Sequence, residues 1–390
     1  MTGSGVVIVD EPVPAVAMPS MPWGKLLAGG LGFLVLTGGV FWWLFTRAPG
    51  DHAAPLLADL RWGYFVLLLL ALPVESVTSS ARIWLICRVL HPGVSFWTCL
   101  RSEFVNVAIS LLTPSQSGGG PGQIYILSRY GGVSVGTGLT ATLLSFMGTM
   151  AGLLLMGLYS LLISGVGTSG LLFLAPVWTL TAIAAVLFLG ALWPDLCRIG
   201  LAALSRTAWR VLRRPEAVRD WWPPEAARTG PAVDRMDAAT ARLVDLFYTY
   251  REDVRRFLRH GKACFAAVCL LSVTFLLARA LMPYLCARFL GVEGGTLRQI
   301  LEVQMALIFL VFFAPTPGGA GIAEGASLSI MAAIVPPGIA PHYNLLWRFS
   351  TAYLAALVGF LCLGRALARD ASRIARRRPA LVAPNGGLEP

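Results

Sequence analysis

Between Phe312 and Gly325 the sequence reads FFAPTPGGAGIAEG, with two prolines, four glycines and one carboxylate inside a strongly apolar region. Pro315 and Pro317 remove backbone donors and disrupt the preceding turn. Gly318, Gly319 and Gly321 permit a close reversal that leaves amides exposed. Unsatisfied backbone in hydrocarbon costs several kcal/mol per group, so such a break persists only inside protein or beside a wet cavity. A helix restarting near Gly319 aims its positive N-terminus at that cavity, a seat for a phosphate or carboxylate. Glu324 falls in the first turns of that helix. It caps the turn or pairs with a nearby arginine, or else it meets a cationic headgroup or carries a proton. Intramembrane ionisable groups favour function by default.

A second break lies in LLTPSQSGGGPGQIYILSRY, where Pro114 and Pro121 flank Ser117, Gly118, Gly119, Gly120 and Gly122. It ends in Gln123, Tyr125 and Arg129. Where one break carries a carboxylate, the other carries an amide and a cation, an asymmetry suited to a zwitterionic or anionic lipid head. No Gly-Lys-Ser/Thr follows the glycines, which excludes a soluble phosphate loop. Other charges stand in apolar surroundings. Glu75 and Arg82 are seven apart on one face of the second span and could pair. Glu103 and Glu302 precede the two breaks by 11 and 13 residues. Arg279 and Arg348 sit within or at the edge of apolar runs. For each, a structural ion pair and a substrate contact fit equally, and burial demands some partner.

The elements that must position these groups are membrane helices. The chain of 390 residues is 56% hydrophobic and 13% charged. From Tyr130 to Pro194 no Asp, Glu, Lys, Arg or His occurs across 65 residues, about three times the ~20 that span a bilayer. The expectation is an all-α polytopic membrane protein with six full spans: Trp23–Phe45, Trp62–Leu90, Gly136–Ser164, Leu171–Trp193, Ala263–Leu290 and Leu345–Leu367. Two Pro/Gly-broken regions, Phe96–Tyr130 and Gln299–Val335, have arms of only about half to three-quarters of a span. They read as re-entrant hairpins in an inverted repeat. Eight or more helices result if they cross the membrane instead.

Residues 1–22 read as a disordered tail and 23–194 as the first membrane half. Residues 195–262 form a polar segment, 263–369 the second membrane half, and 370–390 a basic tail. The segment Asp195–Lys262 holds 14 Lys/Arg against 9 Asp/Glu, and the tail from Arg365 holds six Arg against two acids. The positive-inside rule places both in the cytoplasm of a bacterial inner membrane, and span parity brings the N-terminus to the same side. Arg88, Arg101 and Arg129 follow. The first apolar run, Leu26 to Thr46, is too long for a signal peptide. Near the end of the polar segment Leu243, Leu246, Phe247, Tyr250, Val254, Phe257 and Leu258 recur at helical spacing among arginines. This helix either lies on anionic lipid or packs on the membrane domain.

The net charge of +11 resides in membrane flanks, so nucleic acid is not an expected partner. The seven cysteines are scattered without Cys-x-x-Cys and the four histidines are isolated, so neither a metal nor any other cofactor is expected. Gly148-x-x-x-Gly152 reads as helix packing.

The pair TPSQSGGGPGQIYILSRYGGVS and PTPGGAGIAEG resembles the signatures of the lysylphosphatidylglycerol synthase/flippase transmembrane family. That family is the membrane half of the multiple peptide resistance factor and also occurs as stand-alone inner-membrane proteins. The similarity runs from about Trp23 to Leu367, and LLWRFSTAYLAALVGF resembles the Arg-containing helix that closes the family pattern. The resemblance implies lipid translocation between leaflets, with aminoacylated phosphatidylglycerol the best-known cargo. By motif match it implies roles for Pro114, Gly118, Gly119, Gln123, Pro315, Pro317, Gly318, Gly319, Gly321, Glu324 and Arg348.

Two features depart from it. The helix after the first motif, TATLLSFMGTM, lacks the Glu-Arg pair of many members. Only about twenty residues follow the last span, so a soluble aminoacyltransferase domain is not expected and the chain by itself would not make lysyl lipid. The leading expectation is a lipid flippase that is not an enzyme, with membrane lipids as partners. The alternatives are a non-transporting partner of lipid-modifying enzymes, or an intramembrane lipid or isoprenoid transferase, which would need an acid/base or metal constellation.

Overall fold

The computed structural model describes residues 23–47, 59–164 and 248–377, with single positions at 182 and 246. The expected span Leu171–Trp193, the N-terminal tail, most of the polar segment and the end of the basic tail lie outside the described residues. Every named element is a helix. In chain order these are α1 (Trp23–Arg47), α2 (Trp62–Leu90), α3 (Phe96–Leu112), α4 (Gly119–Gly131) and α5 (Val135–Ser164). They continue with α6 (248–260), α7 (Lys262–Phe289), α8 (Leu297–Phe313), α9 (Ile322–Met331), α10 (Ala340–Arg348) and α11 (Leu354–Arg377). A five-residue π turn, Phe349–Tyr353, fuses α10 to α11.

Five of these stretches are long and apolar enough to cross a bilayer: Ala28–Thr46, Trp62–Leu90, Val135–Leu155, Lys262–Phe289 and Ala340–Asp370. They coincide with five of the six expected spans, and the chain is a multi-pass membrane protein. The last runs longer than its pattern suggested at both ends, from Ala340 to Asp370, with the π turn continuing the helix inside it.

Helix α2 packs lengthwise on α7, antiparallel. The Arg61 N–H donates to the Phe289 carbonyl at 2.9 Å at one end, and Arg82 reaches Ser272 further along. Without a hydrophobic driving force in lipid, such pairs hold by close packing and buried polar contacts. Helix α5 shows the small-residue route. A Cβ on Gly148 would lie 2.7 Å from Ser272 Oγ, and one on Gly152 2.7 Å from Leu276 Cδ1. The Gly-x-x-x-Gly spacing is therefore where α5 meets α7.

Each of α2 and α7 is followed by a helix–break–helix hairpin. Helices α3 and α8 are both 17 residues long, and each opens on a hydroxyl cap, Ser95 accepting from Thr98 and Thr296 boxed with Gln299. At 1.5 Å per residue they reach about 26 Å, short of the ~30 Å hydrocarbon core. Helices α4 and α9 fold back along them. Because α2 and α7 are antiparallel, the two hairpins start from opposite ends of the bundle and their tips meet in its interior.

Of the two readings of the arginine-rich helix, the structure shows packing. Tyr250, Val254 and Phe257 of α6 are buried against Ile86, Leu144 and Val268 of the bundle.

Candidate functional site

The two breaks touch. Pro114 and Pro317 form an antiparallel bridge. The Ser115 N–H donates to the Ala314 carbonyl at 3.0 Å, and the Gly318 N–H to the Thr113 carbonyl at 3.5 Å. Backbone that proline removes from the helical ladder is thereby satisfied by the other hairpin. The turns need left-handed backbone: Gly318 and Gly319 have φ of 59° and 71°, and Ser115 and Gln116 have φ of 50° and 55° without being glycine. Left-handed non-glycine residues cost about 1–3 kcal/mol each and persist where the surroundings over-determine them.

The second break is held by one ion pair. Glu324 is fully buried; its Oε1 accepts from Arg348 Nε at 2.7 Å and its Oε2 from the Gly321 N–H at 2.7 Å. Arg348 also donates through Nη2 to the Gly318 carbonyl at 2.9 Å. One guanidinium therefore ties the α9 N-terminus, the glycine turn and α10 together. Glu324 holds the turn, as one sequence reading had it, and it does so by spending its charge on Arg348.

Beside the joined tips lies a cavity of about 470 Å³. Arg82, Glu103, Gln123, Arg279 and Arg348 line it, with Ser115, Gln116, Ser117 and Gly318 from the two turns. An apolar wall that includes Leu143, Phe146, Met150, Phe275 and Ile308 completes it. The pairing of Glu75 with Arg82 that their spacing allowed is not the one formed: Glu75 Oε1 accepts from Arg279 Nη1 at 2.6 Å. Seven residues along a helix separate two side chains by about 10 Å, whereas the antiparallel neighbour α7 brings Arg279 directly opposite. Arg82 instead donates to Thr149 Oγ1 at 2.6 Å, Ser272 Oγ at 3.3 Å and Ser79 Oγ at 2.9 Å. Its guanidinium lies 4.4 Å from the centre of the Phe275 ring. Glu103 accepts from Ser79 Oγ at 2.7 Å and from Gln123 Nε2 at 2.9 Å.

Of the residues singled out in the sequence, Pro114 and Pro317 make the bridge, while Gly118, Gly119, Gly318, Gly319 and Gly321 build the turns. Pro315 is exposed. Arg82, Glu103, Ser117, Gln123, Arg279 and Arg348 reach the cavity, with Glu75 and Glu324 as ion-pair partners behind it. Tyr125, Arg129 and Glu302 are not among its lining residues. Tyr125 Oη donates to Asp370 Oδ2 at 2.8 Å and Arg129 Nε to Asp370 Oδ1 at 3.0 Å, so both fasten α4 to α11. Glu302 pairs with Arg298 one turn earlier on α8. What the sequence reading missed is the hydroxyl lining. Ser79 stands one turn before Arg82, and Thr142, Ser145 and Thr149 recur at helical spacing on α5 and face the cavity. That stripe, in a helix without charge, was the available signal.

The family model described as "Lysylphosphatidylglycerol synthase TM region" matches residues 29–359. No curated protein matches the chain.

Proposed function

Since the chain belongs to the lysylphosphatidylglycerol synthase transmembrane-region family, we propose that it moves a phospholipid headgroup between the leaflets of a bacterial inner membrane. Aminoacylated phosphatidylglycerol is the cargo class that the family's name suggests. The observation that carries this reading is the charged cavity at the meeting point of two Pro/Gly breaks, inside a bundle of apolar helices. Broken helices whose ends converge on a polar cavity near the midplane are how transporters bind polar cargo without exposing backbone to lipid.

In this reading the two hairpins are re-entrant elements of an inverted repeat. The first is reached from the cytoplasmic face and the second from the opposite face, with both termini cytoplasmic. The headgroup passes through the cavity while the acyl chains stay in the bilayer along the apolar wall. The chain performs no covalent chemistry, and its partners are membrane lipids, with a lipid-modifying enzyme as a supplier of cargo. The Thr113–Ser115 and Ala314–Gly318 contacts form the barrier between the two halves, and passage requires them to part. Opening need break few bonds: among the described residues two backbone hydrogen bonds and one from the Ser115 hydroxyl join the tips.

The test is purified protein in liposomes carrying acyl-labelled lipids, aminoacylated phosphatidylglycerol included. Leaflet exchange is expected to rise with protein and to fall in Glu324→Gln and Arg348→Ala. Well-folded protein that moves none of a broad lipid panel would overturn the proposal and favour a non-transporting partner.

A further inference from the structure

Two of the three arginines at the cavity are already neutralised, Arg279 by Glu75 at 2.6 Å and Arg348 by Glu324 at 2.7 Å. Arg82 is different. It is 3% exposed, its side-chain hydrogen bonds run to three hydroxyls, and among the described residues its Nε has no acceptor. Among the described residues no carboxylate forms an ion pair with it. Glu103 is its counterpart, an anion whose side-chain donors are the Ser79 hydroxyl and the Gln123 amide. Ser79 stands between the two, accepting from Arg82 Nη2 at 2.9 Å and donating to Glu103 Oε1 at 2.7 Å. A cation and an anion are thus held apart by one hydroxyl in the same cavity.

Keeping both charges there without a direct partner is costly in a membrane interior. Direct collapse into an ion pair would remove the cost, yet the Ser79 spacer and the Thr149 and Ser272 acceptors hold the guanidinium back. Such a dipole is complementary to a ligand bringing an anion and a cation at once. Guanidinium donors match the oxygens of a phosphodiester. A carboxylate has acceptor capacity beyond two hydrogen bonds and suits a primary ammonium, which donates three.

We infer that Arg82 and Glu103 are the two poles of a headgroup site for a phosphodiester bearing a primary ammonium. Arg82 takes the phosphate, Glu103 takes the ammonium, and Phe146, Met150 and Phe275 face the glycerol and upper acyl chain. The inference rests on the lipid-translocation reading for its cargo and specifies that cargo's chemistry. A quaternary ammonium donates no hydrogen bond and loses the Glu103 pole. A headgroup with phosphate alone leaves Glu103 uncompensated.

The experiment is binding to the full chain in detergent. The probes are dihexanoyl phosphatidylethanolamine, phosphatidylcholine and phosphatidylglycerol, with water-soluble glycerophosphoethanolamine as the acyl-free arm. Wild type should prefer the ethanolamine lipid by about tenfold or more over the other two. Glycerophosphoethanolamine should compete weakly, whereas affinity equal to that of the lipid would overturn the lipid assignment. Glu103→Gln should erase the preference over phosphatidylcholine, and Arg82→Gln should weaken all three lipids. Arg82→Lys and Glu103→Asp keep the charges and should retain part of the effect if the larger changes unfold the protein.

Equal affinity of wild type for the three lipids overturns the inference, as does an unchanged preference in folded Glu103→Gln. Leaflet exchange measured in parallel separates the two proposals. Selective binding without exchange sinks translocation alone, and exchange without headgroup preference sinks this site alone.

Discussion

Ser115 and Ala314, 199 positions apart in sequence, are joined backbone to backbone and again by Ser115 Oγ, which donates to the same carbonyl at 3.3 Å. Each hairpin tip therefore supplies polar partners that the other tip lost to proline. Neither break is stable in lipid alone, so the two hairpins are interdependent.

This contact can be locked. Residues facing each other in an antiparallel bridge have Cα atoms about 4.5–5.5 Å apart, within disulfide range. In a background with the seven native cysteines replaced, Pro114→Cys with Pro317→Cys should oxidise readily. The oxidised protein should lose leaflet exchange and regain it on reduction. Full exchange by the crosslinked form would show that the tips need not part.

The Glu324–Arg348 pair predicts an asymmetry between single and double variants. Removing one partner of a buried pair costs about 3–5 kcal/mol, because the other charge is left without compensation. Arg348→Ala should lower thermal stability in detergent most, since it also frees the Gly318 carbonyl. Glu324→Gln keeps an acceptor for the Gly321 N–H and should cost less. Glu324→Gln combined with Arg348→Met should recover part of the loss, and strict additivity would argue against a coupled pair.

Much of this arrangement was legible in the sequence, for a physical reason. Proline and glycine inside an apolar run are incompatible with an uninterrupted membrane helix, so both breaks stood out, and the spans followed from length and hydropathy. Pairing was less legible. Glu75 finds Arg279 because α2 lies antiparallel on α7, a tertiary fact that no local spacing encodes. Tyr125 and Arg129 follow the first motif, but helical rotation turns them from the side that bears Gln123 toward Asp370 on α11. Arg82 draws its partners from hydroxyls on α2, α5 and α7, and serine and threonine in apolar helices read as neutral packing until their neighbours are known.

Glycines in the first motif should differ sharply in tolerance. A Cβ on Gly119 would fall 2.1 Å from both Asn106 Oδ1 and Ser110 Oγ, whereas one on Gly120 would meet nothing nearer than Thr142 Cγ2 at 3.6 Å. Gly119→Ala should therefore separate α4 from α3, costing about 1–3 kcal/mol as an overpacking change, while Gly120→Ala should leave folding near wild type. Thermal unfolding of the two variants in one detergent checks this, and equal losses would contradict the close approach.

A pH effect is expected at helix α6. Burial pushes the Asp253 carboxyl above its ordinary range, against the Thr137 and Thr140 hydroxyls and Arg256, which pull it down, with Glu252 adding to the rise. Among the described residues its Oδ2 has no hydrogen-bond partner. The folded chain thus binds this proton more tightly than the unfolded chain. The resulting stability is fully present below the ordinary aspartate value of about 3.9 and is lost as pH rises through the raised folded value. Asp253→Asn, which never ionises, should be more stable than wild type at neutral pH, and the gap should close as the medium is acidified. Unfolding curves of both proteins across that range test it; a gap that widens in acid would mean the carboxylate is stabilising, opposite to the direction its burial dictates.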